Sequence, residues 1–295
     1  MELFASQLLN GLSLGSLYGL FGIGFGLVFA TLGILNAAQG CYASWAAIAA
    51  LVVAERAGLP FPLIMFAGMG AAAVVAVIVD QMGFQPLRAR GADMLGALIT
   101  SIAFWMILDS LAGFATGQQS LSFPPQSYPG QMLLTQPVPL PAMQLIAILA
   151  LVVVAIGTHL LMTRSAIGSA IRAVGWNPVS AALSGVNSRY VIMLTAALSG
   201  AISGLAGTLG GVLTSNVSFT LGQGLMLKGF AAVVVGGYSD VRGTAIAGVV
   251  LGILEVFVGQ YFSASYRDAF TYSLLLVFLL VKPQGLFGKG SFVRA

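Results

Sequence analysis

The chain has 295 residues, of which 58% are hydrophobic and only 7% are charged, and its mean hydropathy is +0.99. Soluble domains carry about 25% charged residues, so this composition excludes a soluble globular protein. The net charge is +4, and the basic residues are too few and too scattered for a nucleic-acid surface. With one His and one Cys, no tetrahedral metal site of these ligands is expected.

Nine long apolar runs account for most of the chain. They cover residues 8–32, 41–54, 63–79, 94–115, 143–162, 191–213, 225–238, 245–262 and 270–281. A membrane-spanning helix needs about 20 mostly apolar residues, and continuous runs indicate helices because barrel strands alternate apolar and polar residues. The first run is preceded by no Lys or Arg, which favours a retained span over a signal peptide. We therefore predict an all-α, polytopic transmembrane helix bundle of about eight or nine hydrophobic segments, some discontinuous, in one domain over 1–295.

Basic residues fall on one side of the predicted bundle. If each run crosses once, that side carries Arg88, Arg90, Arg164, Arg172, Arg189, Lys282, Lys289 and Arg294. The positive-inside rule makes it cytoplasmic, which places the N-terminus outside and the C-terminus in the cytoplasm. Arg56 and Arg267 are exceptions on the outer side, and each lies beside an acid.

Two long segments connect the spans. Residues 117–141 hold six of the eleven prolines and predict a non-helical external loop, either a simple connector or a docking surface. Residues 163–189 lie on the cytoplasmic side and contain two short helical stretches, 166–174 and 179–184, separated at Asn177-Pro178 and ended by Gly185. This segment is either a socket for a soluble partner or a plain interfacial loop.

Glycine is abundant, with 38 residues, and much of it recurs at four-residue spacing inside the runs. Small residues at this spacing let membrane helices approach closely. Tight helix packing is therefore predicted at Gly15, Gly19, Gly200, Gly204, Gly248 and Gly252.

Two polar breaks interrupt the apolar runs, at 31–40 and 236–243. Irregular backbone at membrane depth must be buried in protein or line a wet cavity, and transporters use such half-helix junctions to contact polar solutes. A solute pathway is one interpretation; a pair of turns at the cytoplasmic surface is the other. The pathway interpretation assigns solute contact to Asn36, Gln39, Gly40, Gly236, Gly237 and Tyr238.

Ionisable residues inside the runs are few. Asp109 and Glu255 either line a pathway, pair with a neighbour or are protonated, and Lys228 is expected to snorkel to the surface. For His159 we expect a packed or interfacial role rather than proton relay. The chain has neither a Walker sequence nor a Gly-x-Ser-x-Gly elbow. We therefore predict no catalytic residues, no metal and no cofactor in this chain, and sparse intramembrane charge argues against an ion-driven pump.

Four stretches give the sequence a specific resemblance. They are residues 9–20, 33–40, 170–187, and the C-terminal pair 224–238 and 282–287. In order and spacing they resemble the permease subunits of high-affinity branched-chain amino acid importers of the ABC type, over nearly the whole length. Two departures are clear: Gln39 stands where that family often has His, and Val179-Ser-Ala181 stands where it commonly has Glu-Ala-Ala.

The resemblance implies a permease of the bacterial inner membrane that forms a translocation pathway with a second permease subunit, which we expect to be a paralogue. It implies two cytoplasmic ATPases, which hold the ATP and Mg, and a periplasmic solute-binding protein. The ATPase-coupling residues that it implies are Arg172, Asn177, Ala182, Leu183, Gly185 and Val186. Relatives carry aliphatic amino acids, urea, amides or aromatic acids. The alternative is a stand-alone secondary transporter or channel for small polar solutes, and a membrane-embedded enzyme is a distant third.

Overall fold

The computed structural model describes residues 2–91, 93–134, 139–238, 240–282 and 285–287. Several positions of the predictions above lie outside these residues: Pro137, one of the six prolines; Ser239 of the second break; residues 283–284 of the C-terminal stretch; and Lys289 and Arg294. The helices, in chain order, are α1 (Glu2–Leu32), α2 (Gln39–Ala57), α3 (Phe61–Val79), α4 (Gln85–Ala89), α5 (Met94–Thr116), α6 (Ala142–Arg164), α7 (Ala166–Trp176), α8 (Pro178–Leu183), α9 (Ser188–Leu213), α10 (Leu221–Gly236), α11 (Val241–Tyr261) and α12 (Arg267–Val281). A π-turn (Asp80–Phe84) continues α3 into α4, and a short 3₁₀ turn (Ala264–Tyr266) precedes α12.

All nine predicted apolar runs are helical, so the all-α membrane bundle is confirmed. Within the described residues, seven helical segments are long and apolar enough to cross a membrane. The other two runs form α2 and the 16-residue α10. At 1.5 Å per residue, α10 is about 24 Å long, shorter than the ~30 Å hydrocarbon layer.

The helices divide into a buried centre and an exposed periphery. The most apolar stretch of α1 is 78% buried and that of α9 is 72% buried, whereas that of α5 is 11% buried and the segment Ala264–Val281, which contains α12, is 6% buried. The centre is filled by large side chains such as Phe21, Tyr42 and Leu209. In a membrane, the exposed apolar faces of α5 and α12 face lipid or another protein rather than water.

Glycines lie where the central helices come closest. On α1 and α11, Gly15 and Gly19 oppose Gly248 and Gly252, and a Cβ built on Gly15 would lie 2.6 Å from the Cα of Val249. On α9, Gly200 and Gly204 lie against α3. Because methyl carbons cannot approach at such distances, the backbone spacing of both helix pairs depends on these residues.

The proline-rich segment forms a structured cover over one end of the bundle. It contains two short antiparallel strands, β1 (Met132–Leu134) and β2 (Leu140–Pro141), which the sequence did not predict. Leu121 pairs with Val217 through backbone hydrogen bonds of 2.7 and 2.9 Å, and Phe123 is buried. The segment thus closes over the connection between α9 and α10.

Candidate functional site

The segment between α6 and α9 is an amphipathic helix pair, α7–α8, which follows the predicted stretches closely. Its inward face buries Ile171, Val174 and Ala181 against Val191 and Ile192 at the start of α9. Ser165 begins α7 by accepting a hydrogen bond from the Gly168 backbone N–H at 2.9 Å. The pair is therefore packed against the bundle and is not a loose loop.

Two glycines hold α7 against the ends of neighbouring spans. A Cβ on Gly168 would lie 2.7 Å from the Cα of Met162 on α6, and one on Gly175 would collide with the Ala30 carbonyl oxygen of α1. With no side chain between them, α7 touches both backbones directly. A displacement of α7 must therefore displace the ends of α1 and α6.

The outward face of α7–α8 carries large exposed apolar side chains. Val179 is 70% exposed and Leu183 is 86% exposed. Both project from an exposed surface that also carries Arg172 and Ala182. Apolar side chains presented on a helical connection are typical of a protein-docking surface.

The predicted coupling residues divide by role. Arg172, Ala182 and Leu183 are exposed. Asn177 shapes the segment instead, because its Oδ1 accepts hydrogen bonds from the backbone N–H groups of Val179 and Ser180 at 2.9 and 3.0 Å. Gly185 ends α8 with φ of +83°, a conformation that favours glycine. Val186 packs inward against the hydrophobic cluster beneath α7–α8.

The first predicted break is shorter than expected and is buried. Thr31 belongs to α1, and Gln39 and Gly40 belong to α2, so only 33–38 connect the helices. Gln39 is fully buried, and its side-chain amide donates to the hydroxyls of Ser199 and Ser203 on α9 at 2.9 Å each. The connection therefore enters the bundle and does not lie on its surface.

Asn36 is also internal, being 4% exposed. Its Oδ1 accepts from the Ala38 backbone N–H at 3.1 Å, and its Nδ2 donates to the Tyr42 hydroxyl at 3.0 Å. Asn36 therefore stabilises the connection that leads into α2.

Helices α2 and α10 both start inside the bundle and meet there. Gly40 faces Gly222, where a Cβ on Gly40 would lie 3.0 Å from the Gly222 carbonyl oxygen. Ser44 joins the two helices, because its Oγ donates to the Phe219 carbonyl oxygen at 2.8 Å and accepts from the Gly222 N–H at 2.9 Å. Helices that begin within a membrane bundle are the broken helices that transporters use near their solute sites.

In the second predicted break, backbone groups form hydrogen bonds with other parts of the chain. The Gly237 N–H donates to the Val233 carbonyl at 2.7 Å, and the Gly236 carbonyl accepts from the Phe287 N–H at 3.2 Å. Tyr238 stacks on Phe29 of α1 with ring centroids 4.6 Å apart. In this conformation the chain itself occupies these two backbone groups, whereas Tyr238 also lines a small cleft between α1, α6 and α11.

Helix α1 separates the two breaks. Gly24 faces Ser203, next to Gln39, whereas Gly26 faces the Tyr238 carbonyl oxygen. Positions two apart on an α-helix point in nearly opposite directions. The structure therefore brings the residues of each break together but does not unite the two groups into one site.

Two buried acids have cationic partners. Glu255 on α11 is 3% exposed and lies 2.6 Å from Lys228 Nζ, which also lies 3.0 Å from Asp268. Lys228 is thus an internal partner rather than a snorkelling residue. Asp80, also 3% exposed, pairs with Arg88 at 2.7 Å.

His159, which was expected to be packed or interfacial, lies beside the Arg242 side chain in an exposed contact. Its Nε2 lies within hydrogen-bond distance of an Arg242 Nη2. This contact joins α6 to the start of α11 near the second break.

Sequence reasoning missed four polar residues that join the broken helices, namely Ser44, Ser199, Ser203 and Gln223. The i, i+4 spacing of Ser199 and Ser203 inside an apolar run was a usable signal, since it places two hydroxyls on one helix face. Gln223 gave a weaker one, being the amide next to the start of an apolar run.

The larger of the two described clefts is apolar. It lies between α1, α6 and α9 and has a volume of about 190 Å³. Thr158 is its one polar side chain beside Leu27, Val154, Leu161, Leu198 and Ile202. Such a lining offers little to a polar solute.

A polytopic helical bundle with two half-helix starts and an anchored, exposed helix pair defines a membrane transport permease. The same architecture occurs in a solved structure titled PsaBC from Streptococcus pneumoniae in complex with Fab, with a TM-score of 0.50 and 14% sequence identity over 94% of this chain and 92% of that chain. This likeness shows the fold alone.

The family described as branched-chain amino acid transport system / permease component matches residues 7–279. Two similar proteins are the high-affinity branched-chain amino acid transport system permease proteins BraD of Pseudomonas aeruginosa and LivH of Escherichia coli K12. Each is 29% identical over 97% of this chain and 96% of the relative. The chain belongs to this family of permease components, which confirms the resemblance seen in the sequence.

Proposed function

We propose that this chain is one of two permease subunits of an ATP-driven importer of the bacterial inner membrane, with the solute pathway at their shared interface. Cytoplasmic ATPases, which hold the ATP and Mg, supply the work, and a periplasmic solute-binding protein delivers the solute. Membership of the family and the names of BraD and LivH support a transport-system component over a stand-alone transporter. Branched-chain amino acids are accordingly the first solutes to test.

One observation carries the proposal: the outward face of α7–α8. Leu183 and Val179 are largely exposed, while the inward face of the pair is buried against α9 and touches the ends of α1 and α6. A partner that grips the outward face would therefore move the spans. Docking by shape and apolar contact fits the presence of Val179 where relatives commonly carry an acid.

The orientation follows from charge. Arg189 at the start of α9 donates to Gln81 at 3.2 Å, and Arg88 pairs with Asp80 next to Gln81. These contacts support placing two of the basic segments at the same end of the bundle. By the positive-inside rule that end, with α7–α8, is cytoplasmic, the N-terminus lies outside and the C-terminus lies inside.

The test replaces Leu183 by Glu. Because Leu183 is 86% exposed, the substitution changes the docking surface and leaves the bundle intact. We expect loss of an apolar contact at the ATPase interface to reduce ATP-dependent uptake of L-leucine by about tenfold or more. Leu59→Glu is the matched control, since Leu59 is an exposed apolar residue in the connection between α2 and α3.

Uptake and ATP hydrolysis are measured with the complete complex in proteoliposomes containing the binding protein. Co-purification of the ATPases is measured in parallel. Unchanged uptake and ATPase retention in Leu183→Glu would contradict the assignment of α7–α8 as the coupling surface.

A further inference from the structure

An acid lies partly exposed in the middle of a peripheral span. Asp109 is seven residues before the end of α5, about 10 Å along the helix axis, so it falls within the hydrocarbon thickness. Most exposed residues nearby on α5 are apolar, such as Met106, Leu111 and Phe114, and Ser110 is an exposed polar neighbour. An ionised carboxylate is costly in lipid and is found facing protein or water instead.

The carboxylate of Asp109 has a neutral partner. Gln223 Nε2, at the start of α10, donates to its Oδ1 at 3.1 Å. Among the described residues the ion pairs are those of Arg88 and Lys228, and none includes Asp109. The N-terminus of α10 contributes only about half a positive charge. The carboxyl group at this position therefore has no cationic side-chain partner among the described residues, unlike Asp80 and Glu255.

The exposed residues nearest to Gln223 at the start of α10 are also polar or small. Thr220 and Gly224 are exposed, and Gln223 is partly exposed. This is the end of α10 that begins inside the bundle beside Gly40 and Ser44. A strip with a carboxylate, an amide and a hydroxyl at this depth matches a wet cavity better than a lipid face.

We infer that Asp109, with Gln223, lines the solute pathway and favours solutes that carry a positive charge, such as the ammonium group of an amino acid. The inference rests on the proposed function, since it places the strip at the shared interface of two permease subunits. The carboxylate supplies the attraction, and the neutral amide holds it in place without cancelling its charge. The alternative is that a cationic side chain of the partner subunit pairs with Asp109 and excludes water from this position. The experiment below distinguishes this pairing from a solute pathway.

The experiment measures the access and charge preference of a cysteine placed beside Asp109. The native thiol is removed by Cys41→Ala, because Cys41 is the single cysteine and is buried. Gln223→Cys then reacts, in membranes containing the complete complex, with a cationic trimethylammonium-ethyl or an anionic sulfonato-ethyl methanethiosulfonate. Each rate is divided by that reagent's rate with a free thiol in solution.

We expect Gln223→Cys to react with both reagents and to prefer the cationic one by about tenfold, which is the effect of one nearby charge in partly screened surroundings. Adding Asp109→Asn is expected to reduce the ratio to about one. Ile107→Cys is the matched control: Ile107 is 54% exposed and lies two residues from Asp109 on the opposite face of α5. It is expected to stay unreactive because that face meets lipid.

Two results would overturn the inference. No reaction at Gln223→Cys would show that the strip is covered by lipid or by the partner subunit. A charge preference that survives Asp109→Asn would show that Asp109 does not set it. Gly224→Cys repeats the measurement at an open position where an added side chain meets no neighbour, so a folding defect of one variant does not decide the outcome.

The labelling needs no ATP, so it can fail while the Leu183→Glu coupling test succeeds, and the reverse also holds.

Discussion

The buried cation of α10 allows a sharp prediction about stability. Lys228 has two carboxylate partners, Glu255 at 2.6 Å and Asp268 at 3.0 Å, whereas Glu255 has Lys228 alone among the ion pairs of the described residues. Lys228→Met leaves Glu255, 3% exposed, without a counter-charge, and breaking a buried pair in this way costs about 3–5 kcal/mol. Glu255→Gln leaves Lys228 paired with Asp268, so we expect a smaller loss of about 1–2 kcal/mol. Asp268 is 66% exposed, and Asp268→Asn should cost less than about 1 kcal/mol.

The assay is equilibrium unfolding of the purified chain in mixed micelles of dodecyl maltoside and SDS, followed by helical circular dichroism. The double variant Lys228→Met/Glu255→Gln serves as the control, because removing both charges together should recover part of the loss seen in Lys228→Met. The reasoning fails if Lys228→Met is as stable as Glu255→Gln, or if the double variant is less stable than both single variants.

Three further predictions follow from packing, buried polarity and orientation. Gly252→Leu should prevent the bundle from folding, because a Cβ at Gly252 already collides with the Gly15 backbone. Gly157→Leu is the control and should be tolerated, because a Cβ there meets no neighbour. The two variants are compared by size-exclusion chromatography, and a monodisperse Gly252→Leu protein would contradict the packing argument. Gln39→Met should lower the free energy of unfolding by about 1–3 kcal/mol in the same micelle assay, because it leaves the Ser199 and Ser203 hydroxyls without their partner. The same substitution should cost less in a Ser199→Ala/Ser203→Ala background, where those hydroxyls are absent. Equal costs in the two backgrounds would show that these hydrogen bonds contribute nothing. In the Cys41→Ala background, a membrane-impermeant maleimide should label Leu59→Cys in intact cells and Ser184→Cys only after lysis, and the reverse pattern would invert the proposed topology.

The sequence predicted the helices and the connections well because both depend on local patterns. The nine apolar runs set the helices, and the Asn177-Pro178 step with Gly185 predicted stretches at 166–174 and 179–184, whose ends lie within two residues of those of α7 and α8. The bounds were less accurate elsewhere: the run 225–238 became α10 at Leu221–Gly236, because the Gly237 backbone leaves the helix, and α1 starts at Glu2 rather than at residue 8.

The site was harder to predict because it depends on which helices meet. The two breaks are polar in the same way, yet they lie on opposite faces of α1, and no local pattern encodes that separation. Lys228, Glu255 and Asp268 come from three different helices, so their pairing required the fold. Asp109 was recognised as unusual in the sequence. Whether it pairs with a cation or lines a pathway could not be decided there, because its partner Gln223 is 114 residues away in the chain.

Helix α1 is the element that connects the coupling surface to both breaks. Its end touches α7 at Ala30, its inner faces carry Gly24 against α9 and Gly26 beside Tyr238, and its outer half packs on α11 through Gly15. Each of these contacts involves the backbone of the neighbouring element, and Gly24 also meets the Ser203 hydroxyl, so they transmit displacement with little side-chain movement. A movement of α7 should therefore shift α1 as a rigid body between α9 and α11 and change the surroundings of both breaks together. Rigid-body motion of one helix group against another is how transporters alternate access around a fixed solute site. On this basis Gln39, which is buried here, and Tyr238, which stacks on Phe29 here, would become open to solute together rather than independently.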